Sequence, residues 1–348
     1  MKVYLGTASG TTKVKTAGVR LDGSFLISKR PPLTVNLEEG TARMVETWIQ
    51  GMEGFLEEHG LKWGDVLGVG LAISGPFTRY GVLAEAANLP ESFTDWEFLE
   101  DYQRALAAVA FRRIEVVAGN DGHLDGLAEA QRFRGPKPAS VLLLSPEMGL
   151  ATAFIDRSGM LLDGDNLAGM EAAHMPAPLQ RLGLPIFHCG CGRDWGCVEP
   201  YTTLSGLPQY LDHLLPQYKQ HEFYRSALSR PAQAKMLRSR AQQGDALALR
   251  IFKMQAQALG YHVASLAMAL DPQIVVIGGG VMDPDHTTQY FRDTYMEEVY
   301  QQAHVYLFPS QRRTLRLVAA TLGSNAPALG AALVARTPTL MRRPERTE

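Results

Sequence analysis

The chain has 348 residues, too many for one small core and enough for two ordinary domains. Its 34 Lys and Arg against 36 Asp and Glu leave a net charge of −2, which excludes a nucleic-acid or membrane partner gripped by bulk charge. At 46% hydrophobic and 20% charged it has a globular composition, and no apolar run approaches a membrane span.

No apolar stretch follows Lys2, so no secretory signal is expected and a cytoplasmic location is assigned. Met1 to Leu5 and Lys13 to Leu21 read as strands around a polar turn, Thr7 to Thr12. Val45, Trp48, Ile49, Met52, Phe55 and Leu56 recur at helical spacing, with Thr41 as the expected cap. Val66 to Ile73 is a buried strand that ends at the turn Ser74-Gly75-Pro76. A helix is predicted over Phe98 to Phe111 and a strand over Ile114 to Ala118. The tight turn Gly119-Asn120-Asp121-Gly122 then leads into a helix, His123 to Phe133, with His123 and Asp125 on its solvated face. Val141 to Leu144 and Ala151 to Ile155 suggest a hairpin around Ser145 to Leu150. Helices are predicted at Leu237 to Arg240 and Asp245 to Leu270, the second stopped by Asp271-Pro272. The strand Ile274 to Ile277 runs into Gly278-Gly279-Gly280. A helix from about Asp285 to His304, a strand at Leu315 to Ala319, a helix at Ala326 to Arg336 and a frayed tail, 337–348, complete the chain.

Strand–turn–strand openings recur, each followed by helices. They imply an α/β fold of two related lobes: residues 1–118, with the helix at about 326–336 packing back on them, and residues 119–325. Periodicity alone does not choose among α/β folds.

The three cysteines, Cys189, Cys191 and Cys197, lie within nine positions of one another. An odd, clustered set in a reducing compartment favours a metal over disulfides. Three thiolates and one imidazole fill the tetrahedral shell of a structural Zn2+, and the interleaved glycines let the chain turn tightly around it. His188, adjacent to Cys189, and His174, upstream, both qualify as the fourth ligand.

The cluster is also where the chain resembles the ROK family (repressor, open reading frame, kinase) of the actin-like ATPase superfamily. That family carries Cys-x-Cys-Gly-x-x-Gly-Cys-x-Glu preceded by Glu-x-Gly-His. Cys189, Cys191, Gly192, Gly196, Cys197 and Glu199 fit, with one extra residue between Gly192 and Gly196; Glu171 and His174 fit with Ala173 in the glycine position. Ser74-Gly75-Pro76, Asn88-Leu89-Pro90, Asn120-Asp121, Asp271 to Gly280 and Gly323 to Ala332 are similar to further family segments in the same order. The resemblance implies two actin-like (ribonuclease H-like) lobes with a cleft between them. It implies His174 as the fourth zinc ligand, and Ser74, Gly75, Asn88, Asn120, Asp121, Glu171, His174 and Glu199 around a monosaccharide. Carboxylates and amides suit a ring of hydroxyls, because charge-assisted hydrogen bonds are strong. It implies a kinase that moves a phosphoryl group from ATP, with Mg2+, to a hexose or amino-hexose hydroxyl, with Asp121 as base. Read from its position alone, Asn120 or Asp121 could instead simply cap the helix behind it. A homo-oligomer is the family's habit. No helix-turn-helix precedes the first strand, which disfavours a DNA-binding repressor.

Both phosphate loops depart from the family pattern. Gly10 and Thr11 remain of the first and Gly149 of the second, and Gly278, Gly279 and Gly280 match the adenosine side. Thr7, however, replaces an Asp that helps hold Mg2+, and Ser9 replaces a glycine. Pro146 removes a backbone donor, and Glu147 adds a negative charge where a triphosphate would lie. These departures support one alternative, a sugar-binding or regulatory protein without ATP; a further one, an enzyme that uses Asp121 and Glu171 as an acid–base pair on a sugar without phosphate, is permitted by the paired carboxylates alone.

Overall fold

The computed structural model describes residues 1–85, 89–134, 138–165 and 168–341, so Asn88 lies outside the described residues. The fold is α/β with two mixed sheets, in two compact units. The first comprises Met1–Val141, Ala153–Met170 and Leu322–Glu348; the second comprises Leu142–Thr152 and Glu171–Thr321. The division at Val141 differs from the expected division at residue 118. The reason is physical: the strand and helix after residue 115 complete the first sheet and its cover.

That sheet contains β1 (Val3–Ser9), β2 (Lys13–Arg20), β3 (Phe25–Ile27), β4 (Leu33–Thr34), β5 (Val66–Ile73) and β8 (Val116–Asn120). Its order is β3-β2-β1-β5-β8, with β4 also on β2. β1 pairs antiparallel with β2 and parallel with β5, and β5 pairs parallel with β8. A small ribbon, β6 (Phe77–Arg79) and β7 (Val82–Leu83), follows β5.

The central strands are covered on both faces, which is why they read as near-continuous apolar runs. On one face Leu5, Val69 and Leu71 meet Trp48, Met52 and Phe55 of α1 (Gly40–Glu58) and Tyr102 and Leu106 of α2 (Phe98–Ala110). On the other lie α3 (Asp121–Phe133) and α12 (Ala326–Arg336). α1 starts before the expected cap at Thr41. A short 3-10 turn, Leu37–Glu39, runs directly into it, and Asn36 caps that turn by accepting from the Glu38 N–H at 3.2 Å.

The approach of α12 needs glycine. A Cβ on Gly6 would lie 1.9 Å from the Ala328 carbonyl oxygen, and one on Gly70 would lie 1.9 Å from that of Ala331. Gly330 plays the same part toward α3, where a Cβ would sit 1.8 Å from the Leu124 carbonyl oxygen. Glu129, fully buried on α3, accepts from the Leu322 N–H at 2.7 Å where the chain re-enters this unit.

The second unit is built on a sheet of order β10-β9-β11-β12: β9 (Val141–Pro146), β10 (Leu150–Ile155), β11 (Ile274–Ile277) and β12 (Arg316–Ala319). Its helical part includes α4 (Leu179–Leu182), α5 (Glu199–Thr202), α6 (Leu207–Leu214), α7 (Glu222–Arg225), α8 (Arg230–Gln242), α9 (Ala246–Leu270), α10 (Gln289–Tyr306) and α11 (Pro309–Thr314). The long α9 is capped by Asp245, whose side chain accepts from the Ala248 N–H, and it buries fourteen residues. Among the described residues no helix is long and apolar enough to cross a membrane.

Replacing Gly70 by Ala drives a methyl into the α12 backbone, and overpacking of this kind costs about 1–3 kcal/mol or more. Gly70→Ala is therefore expected to lower the thermal midpoint by several degrees in a calorimetric scan. An unchanged midpoint would mean that α12 does not sit this close to β5.

Candidate functional site

In the first unit, β8 delivers Asn120 and Asp121 to the start of α3. Asn120 is the N-cap: its side-chain oxygen accepts from the Gly122 and His123 N–H groups at 2.9 and 3.3 Å. Asp121 is thus the first helical residue rather than the cap. Its Oδ1 accepts from the Gly122 N–H at 2.9 Å, and its Oδ2 accepts from the Ser74 hydroxyl at 2.6 Å. Ser74 follows β5, whose end pairs with β8 at Ile73 and Asn120, so the pairing itself brings the two side chains together. Both remain partly open to solvent.

A small, half-open pocket in this unit is lined by Gly10, Thr11, Ser74 and Gly75, with Leu37, Met44, Leu89, Phe93 and Trp96 as apolar wall. Expected phosphate-loop and expected sugar-loop residues therefore share one cavity. The first-loop departures are internal. Thr7 is fully buried, its hydroxyl 3.2 Å from that of Tyr102. Ser9 is also buried; it accepts from the Trp48 indole N–H at 2.9 Å and donates to the Met44 sulfur.

His123 corrects the expectation of a solvated face. It is buried, its Nε2 is 2.8 Å from the Gly169 carbonyl oxygen, and burial pushes its pKa down. Its helical spacing to Leu127 and Ala130 puts it on the face that packs inward.

In the second unit, the segment between the first turn at Glu171 and α5 folds back on itself. Pro176 bridges Cys197, and the Val198 N–H donates to the Met175 carbonyl. His174, Cys189, Cys191 and Cys197 each offer one ligand atom, and all four atoms lie within 4.8 Å of one another. His174 Nδ1 is 3.6 Å from the Cys189 sulfur, and the Cys191 and Cys197 sulfurs are 3.6 Å apart. A disulfide would need about 2.05 Å. A zinc–sulfur bond of about 2.3 Å gives tetrahedral edges of about 3.8 Å, so the set fits a structural zinc. Burial raises the pKa of the Cys189 and Cys197 thiols above the ordinary value, and a cation is the natural means of keeping such sulfurs anionic. His188 points elsewhere: it is exposed, and its backbone N–H and carbonyl pair with the Gln209 side chain. Gly192 and Gly196 both take positive φ, the conformation the knuckle requires.

Glu199 opens α5 beside this cluster. Its Oε1 accepts from the Cys189 thiol at 3.4 Å, and its Oε2 accepts from the Leu150 N–H at 3.2 Å and lies 3.0 Å from where a Cβ on Gly149 would be. Glu171 is exposed at the start of the turn that carries His174, whose N–H donates to the Glu171 carbonyl. The turn at Gly278, Gly279 and Gly280 closes on the β9–β10 loop, and sequence reasoning missed what meets it there: Arg238 of α8, whose Nη1 donates to the Gly280 carbonyl at 3.0 Å. Only the tertiary fold shows this, since nothing in the polar face of α8 marks Arg238 out.

With the fold and these side chains in place, comparison with known proteins is decisive. The model of the ROK family matches residues 4–337. The chain belongs to the ROK family. Among its relatives, a glucokinase of Halalkalibacterium halodurans is 25% identical over 332 residues, 94% of this chain and 93% of that protein. An N-acetyl-D-glucosamine kinase of Haemophilus influenzae is 24% identical over 82% of this chain and 86% of its own length. The ROK hexokinase of Thermus thermophilus superposes with a TM-score of 0.70 at 26% identity, over 96% of this chain and 97% of the hexokinase. A ROK glucokinase of Streptomyces griseus, in complex with glucose and AMPPNP, shares the fold at a TM-score of 0.71 and 23% identity. The actin-like α/β architecture is the one these structures have.

If the four ligands hold zinc, elemental analysis finds one equivalent per chain, and Cys197→Ser removes it together with much of the second unit's stability. Metal-free protein that melts like the untreated sample would sink the assignment.

Proposed function

We propose that this chain is a sugar kinase: phosphoryl transfer from ATP to a hexose or amino-hexose hydroxyl, with Asp121 as the base. The observation that carries it is the division of labour at the start of α3. Asn120 performs the capping, and Asp121 Oδ2, free of that duty, accepts from the Ser74 hydroxyl. A carboxylate held at this mouth accepts the proton of a sugar hydroxyl as the bond to phosphorus forms. The whole-length relatives named as glucokinase, N-acetyl-D-glucosamine kinase and hexokinase support the reaction class. Ser74, Gly75, Asn88, Asn120, Glu171, His174 and Glu199 are the proposed sugar ligands. Gly10, Thr11, Gly149 and the glycines 278–280 are proposed for the donor. Zinc bound by His174 and the three cysteines would order the loop that carries His174 and Glu199, and takes no part in the chemistry.

A second reading, sugar binding without ATP, is favoured by one specific pair of observations. The first turn has no carboxylate for Mg2+, since Thr7 is buried against Tyr102, and the carboxylate of Glu147 lies over Gly280. Asp121→Asn is expected to lower kcat by about 10²- to 10⁴-fold while hexose binding, read by calorimetry, stays within a few-fold. Undiminished turnover in that variant removes Asp121 as the base. Sugar binding with no turnover on any phosphate donor, in the unaltered protein, selects the second reading.

A further inference from the structure

The glycine turn after β11 is already engaged by an anion, and the anion belongs to the chain. Gly279 has φ +78°, and a Cβ on it would lie 2.0 Å from the Pro146 carbonyl oxygen, so the turn is pressed onto the β9–β10 loop. The next residue of that loop is Glu147. Its carboxylate lies directly over Gly280: a Cβ there would be 3.0 Å from Oε2 and 3.4 Å from Oε1. The Gly280 N–H holds the carboxylate, and Arg238 flanks the same spot with its Nη1 3.0 Å from that Cβ position. The surrounding protein raises the Glu147 pKa; the nearby charges of Arg238 and His286 oppose that rise and Asp283 adds to it. The side chain is nonetheless exposed, so it can leave without disturbing a core.

A backbone N–H on a glycine turn beside a guanidinium is what recognises a phosphate oxygen. A carboxylate that occupies these donors competes with any phosphate for them and repels it by charge. We infer that Glu147 is a donor-specificity residue: it occupies the Gly280–Arg238 anion position, and a Mg2+–nucleotide binds well only when Glu147 is displaced. This rests on the kinase reading for the identity of the ligand, though not for the occupancy of the position. It also accounts for a chain that keeps an acceptor base while carrying a negative charge at its donor glycines.

The test is calorimetric titration of the full-length protein with Mg2+–AMPPNP, comparing wild type, Glu147→Gln, Glu147→Ala and Glu147→Ala with Arg238→Met. Thermal scans confirm that each is folded. Removing the charge is expected to tighten AMPPNP binding by about tenfold or more in both single variants, a screened like-charge effect. The added Arg238→Met is expected to reverse most of that gain. Unchanged, weakened or absent binding in both single variants overturns the proposal, and weakened binding would make Glu147 a Mg2+ ligand instead. Hexose phosphorylation with ATP is followed on the same samples. Tightened AMPPNP binding with no phosphorylation leaves Glu147 in its role and sinks the kinase reading. Phosphorylation with unaltered AMPPNP affinity does the reverse.

Discussion

The first unit depends on how closely α12 lies on its sheet. Gly6 and Gly70 present no side chain at the points where α12 meets β1 and β5, and the Ala328 and Ala331 carbonyls take the space. Gly330 then lets α3 approach the same helix. Dispersion and apolar burial fall off steeply with separation, so a contact at backbone distance fixes its neighbours more rigidly than a layer of long side chains. Ser74 follows β5 and Asp121 begins α3 after β8. The β5–β8 pairing brings them to a 2.6 Å hydrogen bond, on the sheet that α12 covers.

The second unit solves a similar problem with different means. The segment from Glu171 to Glu199 has little regular structure, and its buried apolar residues, such as Ala173, Leu184, Phe187 and Val198, are spread along it. The ligand atoms of His174, Cys189, Cys191 and Cys197 gather within 4.8 Å of one another there, and Glu199 accepts from the Leu150 N–H. The groups suited to sugar hydroxyls are thus held by strong, specific constraints. The groups suited to phosphate are not: Thr7 and Ser9 are turned into the core, and the turn at Gly280 is met by a carboxylate.

Much of this was legible in the residues. The strands Val66–Ile73 and Ile274–Ile277 and the helix Ala326–Arg336 have the bounds their apolar patterns suggest, because each is buried on nearly every side and ends at a turn residue. The cysteine spacing pointed to a ligand cluster, and the three sulfurs and His174 do gather within 4.8 Å of one another. The helix Leu207–Leu214 escaped notice because it is short and has proline in its first turn. His123 was assigned to solvent because a polar ring next to a turn resembles surface, although its spacing to Leu127 pointed inward. Arg238 and Glu147 lie far apart in sequence, and no local pattern encodes their meeting at Gly280. Unit boundaries were hard to read for the same reason: the first unit is assembled from three separate stretches of chain.

That discontinuity bears on how the protein is made. A ribosome releases β1, β5, β8 and α3 early, yet the helix that closes the glycine face of their sheet begins only at Ala326, well after α3 ends at Phe133. For the ten seconds or more, on the order of synthesis rates, before α12 emerges, the nascent sheet exposes an apolar surface with nothing to cover it. Chains that stop short of α12 keep that surface for good, which makes them natural clients for chaperones and proteases.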